Sequence, residues 1–76
     1  MDIDTDKIDE AALALLYLGL HDGERAWKSF DWEAMGRLQA KGYIGNPVSK
    51  AKSVLFTEDG LRASEGAFRK LFGRGA

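Results

Sequence analysis

The chain has no cysteine, a single histidine, a single proline, and no apolar run longer than the ten residues from Ala11 to Leu20. Without cysteine, neither disulfides nor thiolate metal sites can staple the fold. The apolar run is about half of what a membrane-spanning helix needs, so it reads as a buried core helix. The N-terminus is acidic where a secretory signal would be basic, and a cytoplasmic location is the expectation. A serine triad would have to bring His21 beside Ser29, Ser49, Ser53 or Ser64, and no nucleophile motif surrounds any of them. The nine glycines are scattered and form neither a P-loop nor a dinucleotide fingerprint. Asp2-Ile3-Asp4-Thr5-Asp6 begins like a calcium loop, but Lys7 stands where that loop needs glycine and Leu13 where it needs glutamate. No catalytic residue, metal site, cofactor or small-molecule substrate is therefore expected.

What is present is one small domain of 76 residues. A chain of this size buries only about 60% of its unfolded surface, so its core is thin and self-association would help it. Two Trp, two Tyr and four Phe supply bulk for that core. The net charge of −1 argues against a strong polyanion binder, yet the charge is unevenly placed. Residues 1–24 hold seven acidic side chains against Lys7, whereas residues 25–76 hold ten cations against five carboxylates. A basic face is thus permitted, though folding can interleave the two segments.

After a short acidic lead, Thr5 or Asp6 is expected to cap a first helix with Asp9 and Glu10 in its first turn. Ile8, Ala11, Ala12, Leu15 and Leu16 have helical spacing, and Leu13, Tyr17, Leu18 and Leu20 widen the apolar surface almost all round. Such a helix is normally covered on several sides. It should end near His21, whose imidazole would complement the helix dipole, because Asp22-Gly23 is a turn signal. Ala26, Trp27 and Phe30 suggest a short helix within residues 24–30. A better-marked helix follows, with Asp31 as N-cap, a Phe30–Met35 staple, Trp32, Met35 and Leu38 inward, and Gly42 as the stop. Tyr43-Ile44 starts a short strand that Gly45-Asn46-Pro47 breaks, and Ser53 to Phe56 forms its return. Thr57 then caps a last helix, with an apolar stripe of Leu61, Phe68, Leu71 and Phe72. Gly60 is poor helix material and suggests a close approach between this helix and the strands. Residues 1–5 and 73–76 should fray.

The stretch Leu38-Gln39-Ala40-Lys41-Gly42-Tyr43-Ile44, followed by Ser53-Val54-Leu55-Phe56-Thr57-Glu58-Asp59-Gly60, resembles winged helix-turn-helix regulators of the MarR and PadR type. Those proteins end their third helix in a similar Leu-x-x-x-Gly-aliphatic stretch and leave the wing through a similar Leu-Thr-x-x-Gly. The resemblance covers about residues 31–72. It implies an α+β, mainly α fold: three helices, a two-stranded β-hairpin wing and a C-terminal helix. Over its whole length, including Arg25-Ala26-Trp27-Lys28 and Phe30-Asp31-Trp32, the chain is also similar to a family of small bacterial proteins of unknown function.

Two functions compete on this reading. In the first, a DNA-associated regulator module, the resemblance places residues 32–41 in the major groove of double-stranded DNA and residues 46–52 at the wing tip. Glu33, Arg37, Ala40 and Lys41 would then face outward. Arg37 would reach a guanine edge or a phosphate, Lys41 a phosphate, Lys50 and Lys52 the wing phosphates, and Arg25 and Lys28 the backbone. Asp31 and Glu33 at the start of that helix would repel phosphates, and two cations on it give few contacts. The second function is a protein-interaction module acting through exposed aromatic surface as a homodimer. Most of Trp27, Trp32, Tyr43 and Phe72 should be core, and any left exposed would mark an interface. Phe68, Leu71 and Phe72 are the candidates for self-association.

Overall fold

The computed structural model describes residues 1–28, 32–48 and 52–74. Asp4, in extended backbone, caps the first helix by accepting a hydrogen bond from the Lys7 N–H at 3.1 Å. Helix α1 therefore runs Thr5–Leu18, one residue earlier than a Thr5 cap would allow and two earlier than an Asp6 cap, and Gly19 ends it. Its inward face is Asp9, Ala12, Leu13 and Leu16. That face packs on helix α2, Trp32–Ala40, and helix α3, Glu58–Phe72. The all-round cover expected for α1 is not supplied, because Ile8, Leu15 and Leu18 are exposed.

Within the described part of residues 24–30, where a short helix was expected, Arg25–Trp27 is instead a strand. Leu20–His21 (β1) and Arg25–Trp27 (β2) pair antiparallel about the turn at Asp22-Gly23-Glu24. Asp22 and Gly23 both take positive φ, 50° and 80°, the backbone that an Asp-Gly hairpin turn supplies. The spacing of Ala26 and Trp27 is not a helix face at all: Ala26 points into the core and its neighbours Arg25 and Trp27 point out, which is strand alternation. His21 accordingly lies on a strand, not at a helix end. Its ring stacks on Trp27 at 4.1 Å, and its Nδ1 lies 3.1 Å from the Gly19 carbonyl oxygen.

Ser53–Leu55 (β3) pairs with β2, giving a three-stranded antiparallel sheet in the order β1-β2-β3. The two-stranded ribbon expected between Tyr43-Ile44 and Ser53–Phe56 is reduced to one bridge, Ile44 with Phe56. The fold is thus α+β and mainly helical, with three helices and this small sheet among the described residues. No described helix is long and apolar enough to cross a membrane.

The corner from α2 to α3 follows the sequence punctuation closely. Gly42, at φ 79°, ends α2 as its left-handed residue, and the Tyr43 N–H returns to the Leu38 carbonyl at 3.0 Å. The Thr57 hydroxyl donates to the Gly42 carbonyl at 2.6 Å and accepts from the Gly60 N–H at 2.9 Å. One side chain therefore caps α3 and ties it to the end of α2. The expected close approach at Gly60 is present: a Cβ there would overlap the Tyr43 carbonyl group. The staple of Phe30 on Met35 and the Asp31 cap lie outside the described residues.

The core joins Leu13 and Leu16 of α1, Met35 and Leu38 of α2, and Ala26, Ile44, Val54 and Phe56 of the sheet region. Trp32 does not join it. It is the first residue of α2, three positions before Met35, and is 62% exposed. Trp27 and Phe72 are also more than half exposed and Tyr43 is half-buried, so the expectation that most of these aromatics are core is overturned. On α3 the buried face is Gly60, Ser64 and Ala67, while Leu61 and Phe68 are only half-buried. Small residues on that face let α3 lie close to its neighbours, leaving its larger side chains to the edges.

Gly60→Ala should lower stability by about 1–3 kcal/mol, because backbone must shift to admit the methyl group. Gly66, also on α3, has open space around it, and Gly66→Ala should raise stability by roughly 0.5–1 kcal/mol through helix propensity. Urea unfolding of the two variants checks this pair, and equal effects at both positions would contradict the packing described.

Candidate functional site

The most heavily organised polar group is the buried carboxylate of Asp9. Asp9 occupies the inward stripe of α1 together with Ala12, Leu13 and Leu16, and its residue exposure is 1%. A carboxylate there must be paired and hydrogen-bonded, because its desolvation is otherwise prohibitive. Arg37 of α2 supplies the first partner: its Nε–H is shared between the two oxygens at 2.8 and 3.0 Å. Lys41, just past the end of α2, supplies the second through its Nζ at 3.0 Å from Oδ2. The same ammonium lies 3.5 Å from Oδ1 of Asp6. Among the described residues no buried side-chain nitrogen or oxygen lacks a partner.

Beside this cluster an open cleft of about 290 Å³ lies between the helices and Tyr43, lined by Asp6, Glu10, Lys41, Ala63, Gly66 and Lys70 among others. Lys70 of α3 closes on Glu10 of α1 at 2.9 Å. The cleft is therefore walled by ion pairs that tie α1 to α3 and to the end of α2. The hydrogen bond from Lys41 to Asp9 raises the lysine pKa above 10.5, helped by the negative charge of Asp9 and Asp6 and opposed by partial burial.

The sequence-derived nucleic-acid residues fall into two settings. Arg37 and Lys41 are held against Asp9, with 31% and 38% of their side-chain surface exposed. Arg37 thus points back onto α1 as well as outward. Arg25, on β2, is exposed. Lys28 and Lys52 are neighbours at the end of the β2–β3 pair, where the Lys28 N–H donates to the Lys52 carbonyl at 2.9 Å. Lys50 lies outside the described residues. The self-association candidates stay together: Phe68 packs on Tyr17 at 5.3 Å and on Phe72 at 5.5 Å, and Leu71 and Phe72 are 41% and 52% exposed.

Sequence reasoning assigned Asp9 to the helix dipole and missed its role in the core. The signal was available, since Asp9 stands at positions i, i+3, i+4 and i+7 with Ala12, Leu13 and Leu16, an acidic residue inside an apolar stripe.

The sequence profile of a domain of unknown function, DUF6429, matches residues 4–74. The chain belongs to the DUF6429 family. It is similar to an uncharacterised protein, y4hR, of Sinorhizobium fredii (strain NBRC 101917 / NGR234), with 55% identity over 74 residues that cover 97% of this chain and all of the relative. No solved structure matches the DUF6429 chain. The family assignment agrees with the similarity to small bacterial proteins read from the sequence, and it carries no activity with it.

The raised lysine pKa has a definite pH consequence. A lysine whose folded pKa lies above its unfolded value stabilises the fold fully below about pH 10.5 and loses that contribution as the pH climbs through the folded value. The urea midpoint of the wild-type chain should therefore fall more steeply above pH 10.5 than that of Lys41→Gln, and the two curves should run parallel between pH 7 and 9. Parallel curves at alkaline pH as well would contradict the role given to Lys41.

Proposed function

We propose that this DUF6429 domain is a non-enzymatic protein-interaction module. The observation that carries the reading is the exposure of Leu18, Trp27, Trp32 and Phe72, each more than half accessible in a chain with a thin core. Large aromatics left on the surface are costly unless a partner covers them, and Trp, Tyr and Phe are enriched where protein partners meet. The ion pairs add to this. Arg37 and Lys41, the two cations of the expected groove helix, already serve Asp9, and breaking those pairs to reach DNA would leave a buried carboxylate without partners.

A nucleic-acid reading draws on one observation, the juxtaposition of Lys28 and Lys52 on neighbouring strand ends with Arg25 exposed on the same strand. The winged-helix reading goes with it, supported by the order of α2, Gly42, the Ile44–Phe56 bridge, β3 and α3. Two phosphate-directed lysines and one arginine give only weak, salt-sensitive affinity.

The test has two arms. In a titration of labelled DNA duplex at low salt, half-saturation should lie above about 10⁻⁴ M, the weak end of non-specific binding. Trp32→Ser should leave the unfolding free energy within about 0.5 kcal/mol of wild type, as expected of a side chain not needed for folding. Micromolar binding that Lys52→Ala weakens, or a loss above about 2 kcal/mol in Trp32→Ser, would overturn the proposal.

A further inference from the structure

We propose that the outer face of α1 is a self-association surface, on which a second copy of this chain packs antiparallel about a two-fold axis. The inference rests on the interaction-module reading and commits it to a partner. Ile8, Ala11, Leu15 and Leu18 follow one another at intervals of three, four and three residues, the spacing of a helix–helix seam. This seam is separate from the inward face of Asp9, Ala12, Leu13 and Leu16. Ile8, Leu15 and Leu18 are 39%, 37% and 67% exposed. Ala11 is half-buried, so the helix has a second apolar face that its own chain covers only in part.

The accessible area fits a missing partner. Folded monomers of 8.4 kDa expose about 4,600 Å² by the usual size scaling. This chain exposes 5337 Å², about 700 Å² above that scaling, and Leu18 at 67% is among its most exposed large apolar side chains. The molecule is a slab of 37 × 34 × 18 Å.

The seam also reads the same in both directions. Turning one copy about an axis near Leu13 sets Ile8 opposite the partner's Leu18 and Ala11 opposite the partner's Leu15. Large side chains meet at the two ends, and a small residue meets a large one near the middle, which permits close approach. Charge favours the same orientation. The N-terminal end of α1 carries Asp2, Asp4 and Asp6 against Lys7, whereas at the other end Asp22 and Glu24 balance Arg25 and Lys28. Parallel pairing would abut two acidic ends. Antiparallel pairing sets each acidic end against a neutral one and opposes the helix dipoles.

Sedimentation equilibrium of the full chain from about 1 µM to 1 mM tests this, a range that brackets ordinary specific affinities. Wild type should pass from monomer to dimer. Leu18→Glu should weaken the dimer by about 100-fold, because a carboxylate would then be buried against the partner's Ile8, with an unchanged circular dichroism spectrum. Val48→Ser, which removes exposed apolar surface elsewhere, should leave the dimer intact. Ile8→Lys combined with Leu18→Glu should restore association, because lysine and glutamate then face each other across the axis but lie too far apart within one chain to pair. A monomer throughout the range, a dimer indifferent to Leu18→Glu, or a double variant no better than Leu18→Glu alone would overturn the inference. Those results concern the face and the partner. The broader interaction reading stands or falls separately, on the duplex and Trp32→Ser measurements.

Discussion

A carboxylate buried between two helices is the constraint around which this small fold is arranged. Asp9 sits in the middle of the inward stripe of α1, and its charge is tolerable only where Arg37 and Lys41 can both reach it. That requirement fixes the rotation of α2 about its axis and its height along α1. Apolar contacts alone, between Leu13 and Leu16 on one side and Met35 and Leu38 on the other, would accept several registers. A charge that must be matched accepts few, the best-attested benefit of a buried polar pair.

Once α2 is fixed, the rest of the chain follows by short steps. Gly42 turns the chain, Ile44 bridges to Phe56, and Thr57 ties the start of α3 to the end of α2. Gly60 lets α3 lie against the Tyr43 backbone. The small face of α3 and the Lys70–Glu10 pair then complete the second contact with α1. The sheet covers what remains of the core through Ala26 and Val54. Cover stops there, leaving a slab with apolar side chains on its outer side.

The end of α2 at Gly42, the strand at Ser53–Leu55 and the start of α3 at Thr57 were legible in the sequence because their signals are local. A glycine that accepts positive φ, a threonine followed by acidic residues, and a short run rich in β-formers each have one structural use. Residues 20–27 were not legible, because in so short a segment two periods compete: Ala26, Trp27 and Phe30 match helical spacing, while Asp22-Gly23 is equally the mark of a hairpin. Burial was the other failure. Trp32 was expected inside together with Met35 and Leu38, yet as the first residue of α2 it is 62% exposed. The candidate site was half legible. Arg37 and Lys41 were singled out for their charge, but the partner that occupies them lies 28 and 32 residues away in sequence, and only the packing of α1 on α2 reveals it.

The central claim is that Asp9 and Arg37 act as a unit holding α1 to α2. A double-mutant cycle on unfolding free energy, using Asp9→Ala, Arg37→Ala and the double variant, measures that coupling directly. The account predicts an interaction energy of about 1–3 kcal/mol, as for residues sharing one buried network. Additivity to within about 0.5 kcal/mol, the behaviour of independent sites, would contradict it.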